Sequence, residues 1–236
     1  MAESGEWEPD AQNWVQWART PGHDAYWYYR GGFFDDFVPV PGTRCVEIGC
    51  GEGRVARDLA ARGHRVIGLD TSHTLLRHAR DADDRGQYAL ADSAALPLGD
   101  REFDLAIAYN SLQVVRDMPA TVLEIARVLD RGGRLCACIA HPVTDLGTFD
   151  RRESGDRFLL RRGYFTNARV DDTVQRNGLT MTCHGWTYSL EDYSVAFEDA
   201  GLQIEAVREP KPAGSSSPYD EWLEVPLFMF IRAVKP

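Results

Sequence analysis

Short apolar runs alternate with segments of helical periodicity through the middle of the chain, from residue 43 to residue 140. Apolar runs bounded by turn residues predict buried strands, whereas apolar residues repeated every three or four positions predict helices. The predicted strands cover 44–49, 65–70, 87–91, 103–109 and 134–140, and the helices cover 55–61, the segment carrying Leu75, Leu76 and Ala79, and 118–129. This alternation is typical of an α/β fold with a doubly wound, mostly parallel sheet.

The two ends of the chain have other patterns. Residues 1–42 are rich in aromatic side chains and end in a Pro-Val-Pro-Gly break. Residues 141–188 are interpreted as a polar, irregular insertion after the fifth strand. Residues 189–236 predict a helix at 190–200 and strands at 203–207 and 227–234. We therefore expect one domain over residues 1–236, with its core at 43–140.

Composition narrows the classes of partner and compartment. The formal net charge is -10, so a nucleic-acid partner, whose phosphates require a basic surface, is not expected. No apolar run reaches the roughly 20 residues that span a bilayer, and the acidic N-terminus does not resemble a signal peptide. The five cysteines are odd in number and lack a Cys-x-x-Cys pair. They predict neither disulfides nor a metal site, and a reducing, cytoplasmic location is expected.

A glycine-rich turn follows the first predicted strand, in the run Glu47-Ile-Gly49-Cys-Gly51-Glu-Gly53. Glycines at this turn let the backbone approach a ligand closely, a feature shared with dinucleotide-binding proteins. Two details favour another ligand. Arg54 stands where the dinucleotide fingerprint has its last glycine, and Glu47 offers a carboxylate to an ammonium group rather than to a pyrophosphate.

Two further acids follow the next strands. Asp70 ends the second strand, 19 residues after Gly51, where an acid accepts hydrogen bonds from ribose hydroxyls. Asp92, followed by Ser93, ends the third strand, where a carboxylate can accept from an exocyclic adenine amine. Either aspartate alone could be a turn or helix cap. Together with Glu47, however, they place three acids at the edge of the sheet where α/β proteins bind ligands.

These segments carry a resemblance to a known family. The runs 46–53, 68–70, 91–92, 103–106 and 129–135 resemble class I S-adenosylmethionine-dependent methyltransferases, and most closely the small-molecule branch that includes ubiquinone/menaquinone-type enzymes. The resemblance implies a Rossmann-like sheet of seven strands whose last strand is antiparallel. It also implies that residues 1–42 form a lid and that residues 141–188 form a cap.

The resemblance also assigns cofactor-binding residues. Glu47 and the loop from Gly49 through Gly51 to Gly53 would hold the methionine end of S-adenosylmethionine. The remaining expected cofactor-binding residues are Asp70 at the ribose, its neighbour Thr71, Asp92 and Ser93 at the adenine, and Asn110 next to the methyl donor.

The chain departs from its relatives after the fourth strand. Many relatives carry a histidine near Gln113, and the Asn-Pro-Pro-aromatic signature of nucleic-acid amino methyltransferases is absent. A catalytic base would therefore come from elsewhere. Three histidines flank the expected pocket, and we rank them His141, then His184, which is expected to open the last helix, then His23 in the lid.

A group of arginines lies within the expected cap. Its members are Arg151, Arg152, Arg157, Arg161 and Arg162. A solvated surface is the common explanation for such a cluster, and a clamp for a carboxylate or phosphate on the substrate is the alternative.

The sequence therefore predicts methyl transfer to O, N or C of a small-molecule metabolite, of the kind met in secondary metabolism. A methyltransferase-fold cyclase that binds the cofactor without methyl transfer is the main alternative, because a fold does not determine a reaction. A binding protein without activity and an NAD(P)-dependent reductase are less favoured. No membrane partner is expected, and a homodimer is one of the oligomeric states that the sequence allows.

Overall fold

The computed structural model describes residues 6–150, 157–214 and 218–236. Its strands are β1 (Cys45–Ile48), β2 (Val66–Asp70), β3 (Gln87–Leu90), β4 (Phe103–Tyr109), β5 (Leu129–Ala140), β6 (Gly147–Asp150), β7 (Arg157–Leu160), β8 (Arg169–Arg176), β9 (Leu179–Trp186), β10 (Gln203–Arg208) and β11 (Phe228–Val234). Its α-helices are α1 (Ala11–Arg19), α2 (Tyr26–Phe34), α3 (Arg54–Ala61), α4 (His73–Ala82), α5 (Met118–Val128) and α6 (Leu190–Asp199).

Seven of the strands form one sheet in the order β3-β2-β1-β4-β5-β11-β10. Strands β1 to β5 pair in parallel, and β11 runs antiparallel to both β5 and β10. The predicted doubly wound, seven-stranded sheet is therefore confirmed. The chain builds outward from β1 to β3 and then returns to β4 on the other side of β1. This reversal leaves a crevice at the carboxyl ends of β1 and β4, where ligands bind in such sheets.

Helices cover both faces of the sheet because both faces of its central strands are apolar. In β4, Leu105 and Ile107 pack toward α2 and α3, whereas Ala106 and Ala108 pack toward α5 and α6. Phe33 of α2 is completely buried against this sheet, and a buried aromatic side chain of this kind contributes about 1.5–3 kcal/mol. The packing holds the carboxyl ends of the strands in fixed positions.

The segment 141–188 differs from the predicted irregular insertion. Its described residues contain two antiparallel hairpins, β6 with β7 and β8 with β9. Val170 is the one buried residue of β8, so the alternation that reveals a strand is missing. The turn itself was a readable signal. Asn177 and Gly178 both have positive φ, at 49° and 79°, as a two-residue hairpin turn requires.

Two further boundaries also differ from the prediction. Strand β5 begins at Leu129 rather than at residue 134, because Leu129 pairs with Phe103 before the register shifts. His184 lies in β9 and does not open the last helix, which begins after the capping box formed by Ser189 and Asp192. Within the described residues, no helix combines the length and apolar character needed to cross a membrane.

Candidate active site

A cavity of about 630 Å³ opens at the carboxyl ends of β1, β2 and β4. Its floor is the glycine loop after β1 together with the residues that follow β2, β3 and β4. Trp7 and Trp14 from the N-terminal region and Trp186 from the end of β9 form walls around it. A concave site of this size, with polar and charged groups set among apolar walls, is suited to binding a small molecule.

The glycine loop has a backbone that side chains would obstruct. Gly49, Gly51 and Gly53 have φ values of 71°, 55° and 82°, which are strained for other residues. A Cβ on Gly49 would lie 2.7 Å from Ser111 Cβ, and one on Gly53 would lie 2.8 Å from the Tyr88 hydroxyl oxygen. Gly49 and Gly51 line the cavity, whereas Gly53 lies behind it and precedes α3.

Two glutamates near the loop differ in their partners. Glu52 is bonded by Arg57 at 3.0 and 2.9 Å and by Arg19 at 2.7 Å, so its charge is balanced. Glu47 is 2% exposed, and its Oε2 has no hydrogen-bond partner among the described residues. Burial, with the nearby Asp70 and Glu52 charges, raises the pKa of Glu47 well above its ordinary value. A buried carboxyl group without a partner is costly, and a bound cation would relieve that cost.

Asp70 ties the end of β2 to the glycine loop. Its Oδ2 accepts from the Gly51 N–H at 2.8 Å, and its Oδ1 accepts from the Ser72 N–H at 2.8 Å. Burial raises the pKa of Asp70, and the backbone hydrogen bonds from Ser72, Gly51 and Thr71 oppose that rise. Each carboxylate oxygen keeps a lone pair for a ligand hydroxyl. Asp70 and Thr71 both line the cavity.

Asp92 and Ser93 line the cavity beyond β3. Asp92 Oδ1 accepts from the Ala94 N–H at 2.9 Å, which stabilises the turn. The Ser93 hydroxyl shares a 2.9 Å hydrogen bond with the Thr121 hydroxyl of α5. Asp92 is exposed, and its other oxygen is available to a ligand donor.

Asn110 follows β4 with a φ of 53°, a left-handed conformation that non-glycine residues rarely adopt. Its N–H donates to the Cys138 carbonyl at 2.7 Å. Its side-chain oxygen accepts from Gln113 Nε2 at 3.5 Å and from Cys138 Sγ at 3.7 Å. Such strained residues collect at functional sites, and Asn110 lines the cavity.

Comparison with known proteins agrees with this geometry. Residues 46–137 match a family described as a methyltransferase domain. The chain is 27% identical over 171 residues to a malonyl-[acyl-carrier protein] O-methyltransferase of Pseudescherichia vulneris, covering 72% of this chain and 64% of that protein. It is 28% identical over 165 residues to a demethylmenaquinone methyltransferase of Tropheryma whipplei, covering 69% and 67%. The chain therefore spans about two thirds of the length of these relatives.

A solved structure extends the likeness over most of the fold. An S-adenosylmethionine-dependent methyltransferase from Mesorhizobium loti superposes with a TM-score of 0.72 at 24% identity, covering 89% of this chain and 98% of that one. Residues 46–137 therefore match a methyltransferase domain, and the fold is that of S-adenosylmethionine-dependent methyltransferases. S-adenosylmethionine is the cofactor that this domain and this fold indicate.

The residues of the cavity fit that cofactor. The cofactor carries donors at its ammonium group, its ribose hydroxyls and its adenine amine. The methyltransferase offers acceptors in the same order along the sheet edge, at Glu47, Asp70 and Asp92. A dinucleotide would instead bring two phosphates against these acids, and like charges repel. In the described part of the chain, no cluster of three or more His, Cys, Asp or Glu side chains is arranged to hold a metal ion.

His141, the first choice for a catalytic base, does not line the cavity. It is buried after β5, its Nε2 lies 3.0 Å from Glu209 Oε1, and its Nδ1 accepts from the Val143 N–H at 3.2 Å. Burial lowers its pKa, although Glu209 opposes that shift. The expected placement at the pocket is wrong because the ring turns toward β10 and the following loop, where both nitrogens are engaged.

His23 is likewise outside the cavity lining. Its ring is 2% exposed and packs edge-on against Trp17, with ring centroids 4.3 Å apart. Neither ring nitrogen has a partner among the described residues, and burial lowers its pKa. The expected place at a lid opening is therefore also wrong, since His23 packs inside the N-terminal region.

His184 is the one predicted histidine that lines the cavity. Its Nδ1 lies 2.6 Å from Asp171 Oδ1 and its Nε2 lies 3.0 Å from Asp10 Oδ2. Burial acts to lower its pKa, but the hydrogen bonds to Asp10 and Asp171 raise it above the ordinary value. An imidazole held between two carboxylates favours the charged form and has no free nitrogen for a substrate proton.

The arginine cluster of the cap does not reach the cavity where it is described. Arg151 and Arg152 lie outside the described residues. Arg157 and Arg161 are exposed, and Arg162 lies 3.6 Å from Asp172 across the cap. None of these three arginines lines the cavity. Their positions favour the interpretation of the cluster as a solvated surface over that of a substrate clamp.

The sequence predicted a lid over residues 1–42, but it did not reveal the side chains that anchor the first part of this segment. Residues 6–10, which we call the N-terminal strap, bind the core through Glu8, which accepts from Ser72 and from the Thr74 hydroxyl at 2.6 Å. They bind the cap through Glu6, 3.1 Å from Arg169. The signal was weak, because acidic residues at a chain terminus do not reveal their distant partners.

Proposed function

We propose that this chain transfers the methyl group of S-adenosylmethionine to an oxygen, nitrogen or carbon atom of a small-molecule metabolite. The observation that carries the proposal is the buried Glu47 carboxyl group, whose Oε2 has no partner among the described residues, beside a glycine loop that side chains would obstruct. When bound, the cofactor supplies a methyl group on a positively charged sulfur, already activated for transfer. The roles proposed for the chain are those of binding, orientation and exclusion of water.

We assign the cofactor-binding roles along the sheet edge. Glu47 would bind the ammonium group, Asp70 the ribose hydroxyls, and Asp92 the adenine amine. Asp70 also accepts a 2.8 Å hydrogen bond from the Gly51 N–H. It would therefore position the glycine loop as well as bind the ligand. Thr71, Ser93 and Asn110 complete the wall, with Asn110 at the point where β4 meets the cavity.

Alignment supplies most of the catalysis that we propose. Trp7, Trp14 and Trp186 exclude water from the cavity, and holding two reactants in one geometry lowers the barrier strongly. A base would be required only for an acceptor that must lose a proton before attack. The hydrogen bonds of His184 leave it a positioning role between the strap and the cap.

We also propose a compartment, a class of acceptor and an oligomeric state for the enzyme. The five cysteines are unpaired, as in a reducing compartment such as the cytoplasm. An acceptor other than nucleic acid is supported by the net charge of -10 and the acids around the cavity. The names of the two relatives include an acyl-carrier-protein substrate and a demethylmenaquinone, so they point to different acceptors. A homodimer stays a prediction, which light scattering would test.

Two measurements test the function. Calorimetric titration should show binding of S-adenosylmethionine and S-adenosylhomocysteine, and equal or tighter binding of NAD would reject the cofactor site. A metabolite screen with mass detection should find a product that gains one CH₂ unit together with S-adenosylhomocysteine. A rearranged product of unchanged mass, without S-adenosylhomocysteine, would show a cyclase instead.

A further inference from the structure

Arg54 is a buried cation in the wall of the cavity. It is the first residue of α3, directly after the glycine loop, and its side chain is 14% exposed. Its guanidinium carbon lies 4.2 Å from the ring centroid of Tyr26 and 5.1 Å from that of Trp14. Two aromatic rings from the N-terminal helices therefore fix the orientation of the planar guanidinium.

The guanidinium is only partly used by the protein. Nη1 donates to Asp24 Oδ2 at 2.6 Å and to the Ala18 carbonyl at 3.4 Å. Nε and Nη2 donate to no residue in the described ranges. An arginine has five N–H donors in a fork that matches a carboxylate, so part of this fork remains available to a ligand.

Arg54 and Glu47 flank the same loop with opposite charges. Glu47 precedes the glycines in β1 and lacks a partner for one oxygen, whereas Arg54 follows them and keeps free donors. One anionic and one cationic side chain, both incompletely paired, match a ligand that carries both charges. An α-amino acid group, with its ammonium and its carboxylate, is such a ligand.

The other cations of the lining are less suited to this task. His184 is held between Asp10 and Asp171. Arg116 is exposed, in the loop between β4 and α5. Arg54 also lies at the N-terminal end of α3, where the helix dipole favours a negative group.

We propose that Arg54 binds the α-carboxylate of S-adenosylmethionine, so that Arg54 and Glu47 together recognise the amino-acid end of the cofactor. The inference rests on the function proposed above and adds a residue to it. Because Arg54 also contacts Asp24, Trp14 and Tyr26, it makes the bound carboxylate part of the contact between the glycine loop and the N-terminal helices.

The test compares S-adenosylmethionine with decarboxylated S-adenosylmethionine, which keeps the ammonium and sulfonium groups. Calorimetry should give the parent protein a preference of about 10- to 150-fold for the carboxylate-bearing ligand, as a charge-assisted hydrogen bond allows. Arg54→Met should bind the two ligands with equal affinity. Arg54→Lys should keep an intermediate preference, because a lysine is a point charge without the fork.

Arg57→Met is the matched control. Arg57 belongs to the same helix and pairs with buried Glu52, but it does not line the cavity. Its loss should leave the ratio of the two affinities unchanged. Since Arg54→Met leaves Asp24 without its partner, the double variant Asp24→Asn/Arg54→Met provides the same comparison without a buried unpaired acid, and thermal melting checks its folding.

The outcomes separate this inference from the proposed function. A parent protein that binds S-adenosylmethionine but shows no preference over the decarboxylated ligand overturns the role of Arg54 alone. So does a preference that survives in Arg54→Met and in the double variant. A parent protein that binds neither ligand overturns the cofactor site and the role of Arg54 together.

Discussion

His184 and Asp10 join the cap to the N-terminal strap, with His184 Nε2 3.0 Å from Asp10 Oδ2. The same imidazole reaches Asp171 of β8 at 2.6 Å through its other nitrogen. Arg169 and Glu6 add a second link between cap and strap at 3.1 Å. We therefore expect closure of the cavity by Trp7 to depend in part on the protonation of His184.

The first prediction concerns the pH dependence of that closure. The His184 pKa is raised in the folded protein, so its stabilising effect is present below the ordinary histidine pKa of about 6.5 and is lost as pH rises through the raised value. Dissociation of S-adenosylhomocysteine, followed by tryptophan fluorescence, should be slower at pH 6 than at pH 9. His184→Asn should reduce this pH dependence, and Asp10→Asn should reduce it in the same direction.

His78→Asn is the control for this experiment, because its ring contacts the uncharged Gln12 side chain at 3.1 Å. The other titratable and charged groups near His184 are Asp10 and Glu6 on the strap, and Arg169, Asp171, Asp172 and Cys183 on the cap. A pH profile that is identical in the parent and in His184→Asn would show that the histidine does not control closure.

The second prediction separates Asp70 from Asp92. Asp70→Ala removes the acceptor of two backbone N–H groups, so it should weaken cofactor binding and also lower the free energy of unfolding by about 1–3 kcal/mol. Asp92→Ala should weaken binding by about 5- to 150-fold with little loss of stability, because Asp92 is exposed. Calorimetry and denaturant unfolding measure both effects. Parental affinity in both variants would remove these residues from the site.

The third prediction reverses the sequence-based ranking of the histidines. His141→Ala should lower stability by about 1–3 kcal/mol, because Glu209 and the Val143 N–H lose their partner. Its turnover with the acceptor found by the screen should stay within a few-fold of the parent. A loss of about 10²-fold or more with an intact fold is the size expected for a missing base, and it would restore His141 to that role.

The fourth prediction uses the backbone of Asn110. Its φ of 53° suits glycine better than alanine. Both substitutions remove the hydrogen bonds to Gln113 and Cys138, so their comparison isolates the backbone. Asn110→Gly should be more stable than Asn110→Ala by about 1 kcal/mol in denaturant unfolding. Equal stability would mean that the left-handed conformation carries no strain.

The sheet and its ligand edge were predictable because their signals are local. An apolar run of residues determines β1, and Gly49 and Gly51 each require a backbone that other residues resist. Parallel strands end at the same edge of the sheet, so acids at or just after the ends of β1, β2 and β3 lie along that edge. The same reasoning could have found the β8–β9 hairpin, because the dipeptide Asn177-Gly178 is by itself a signal for a two-residue hairpin turn.

The sequence by itself thus determined the fold class, the resemblance to methyltransferases and the acids at the carboxyl edge of the sheet. Only the tertiary structure decided which histidine reaches the cavity and which arginine keeps free donors. His184 meets Asp10 across 174 residues of chain, and His141 turns to Glu209 across 68. No local pattern encodes such pairs, because the direction of a side chain depends on what packs around it. Arg54 is the clearest example, since its two rings come from α1 and α2 and its acid, Asp24, comes from the loop between these helices, well before the glycine loop in the sequence.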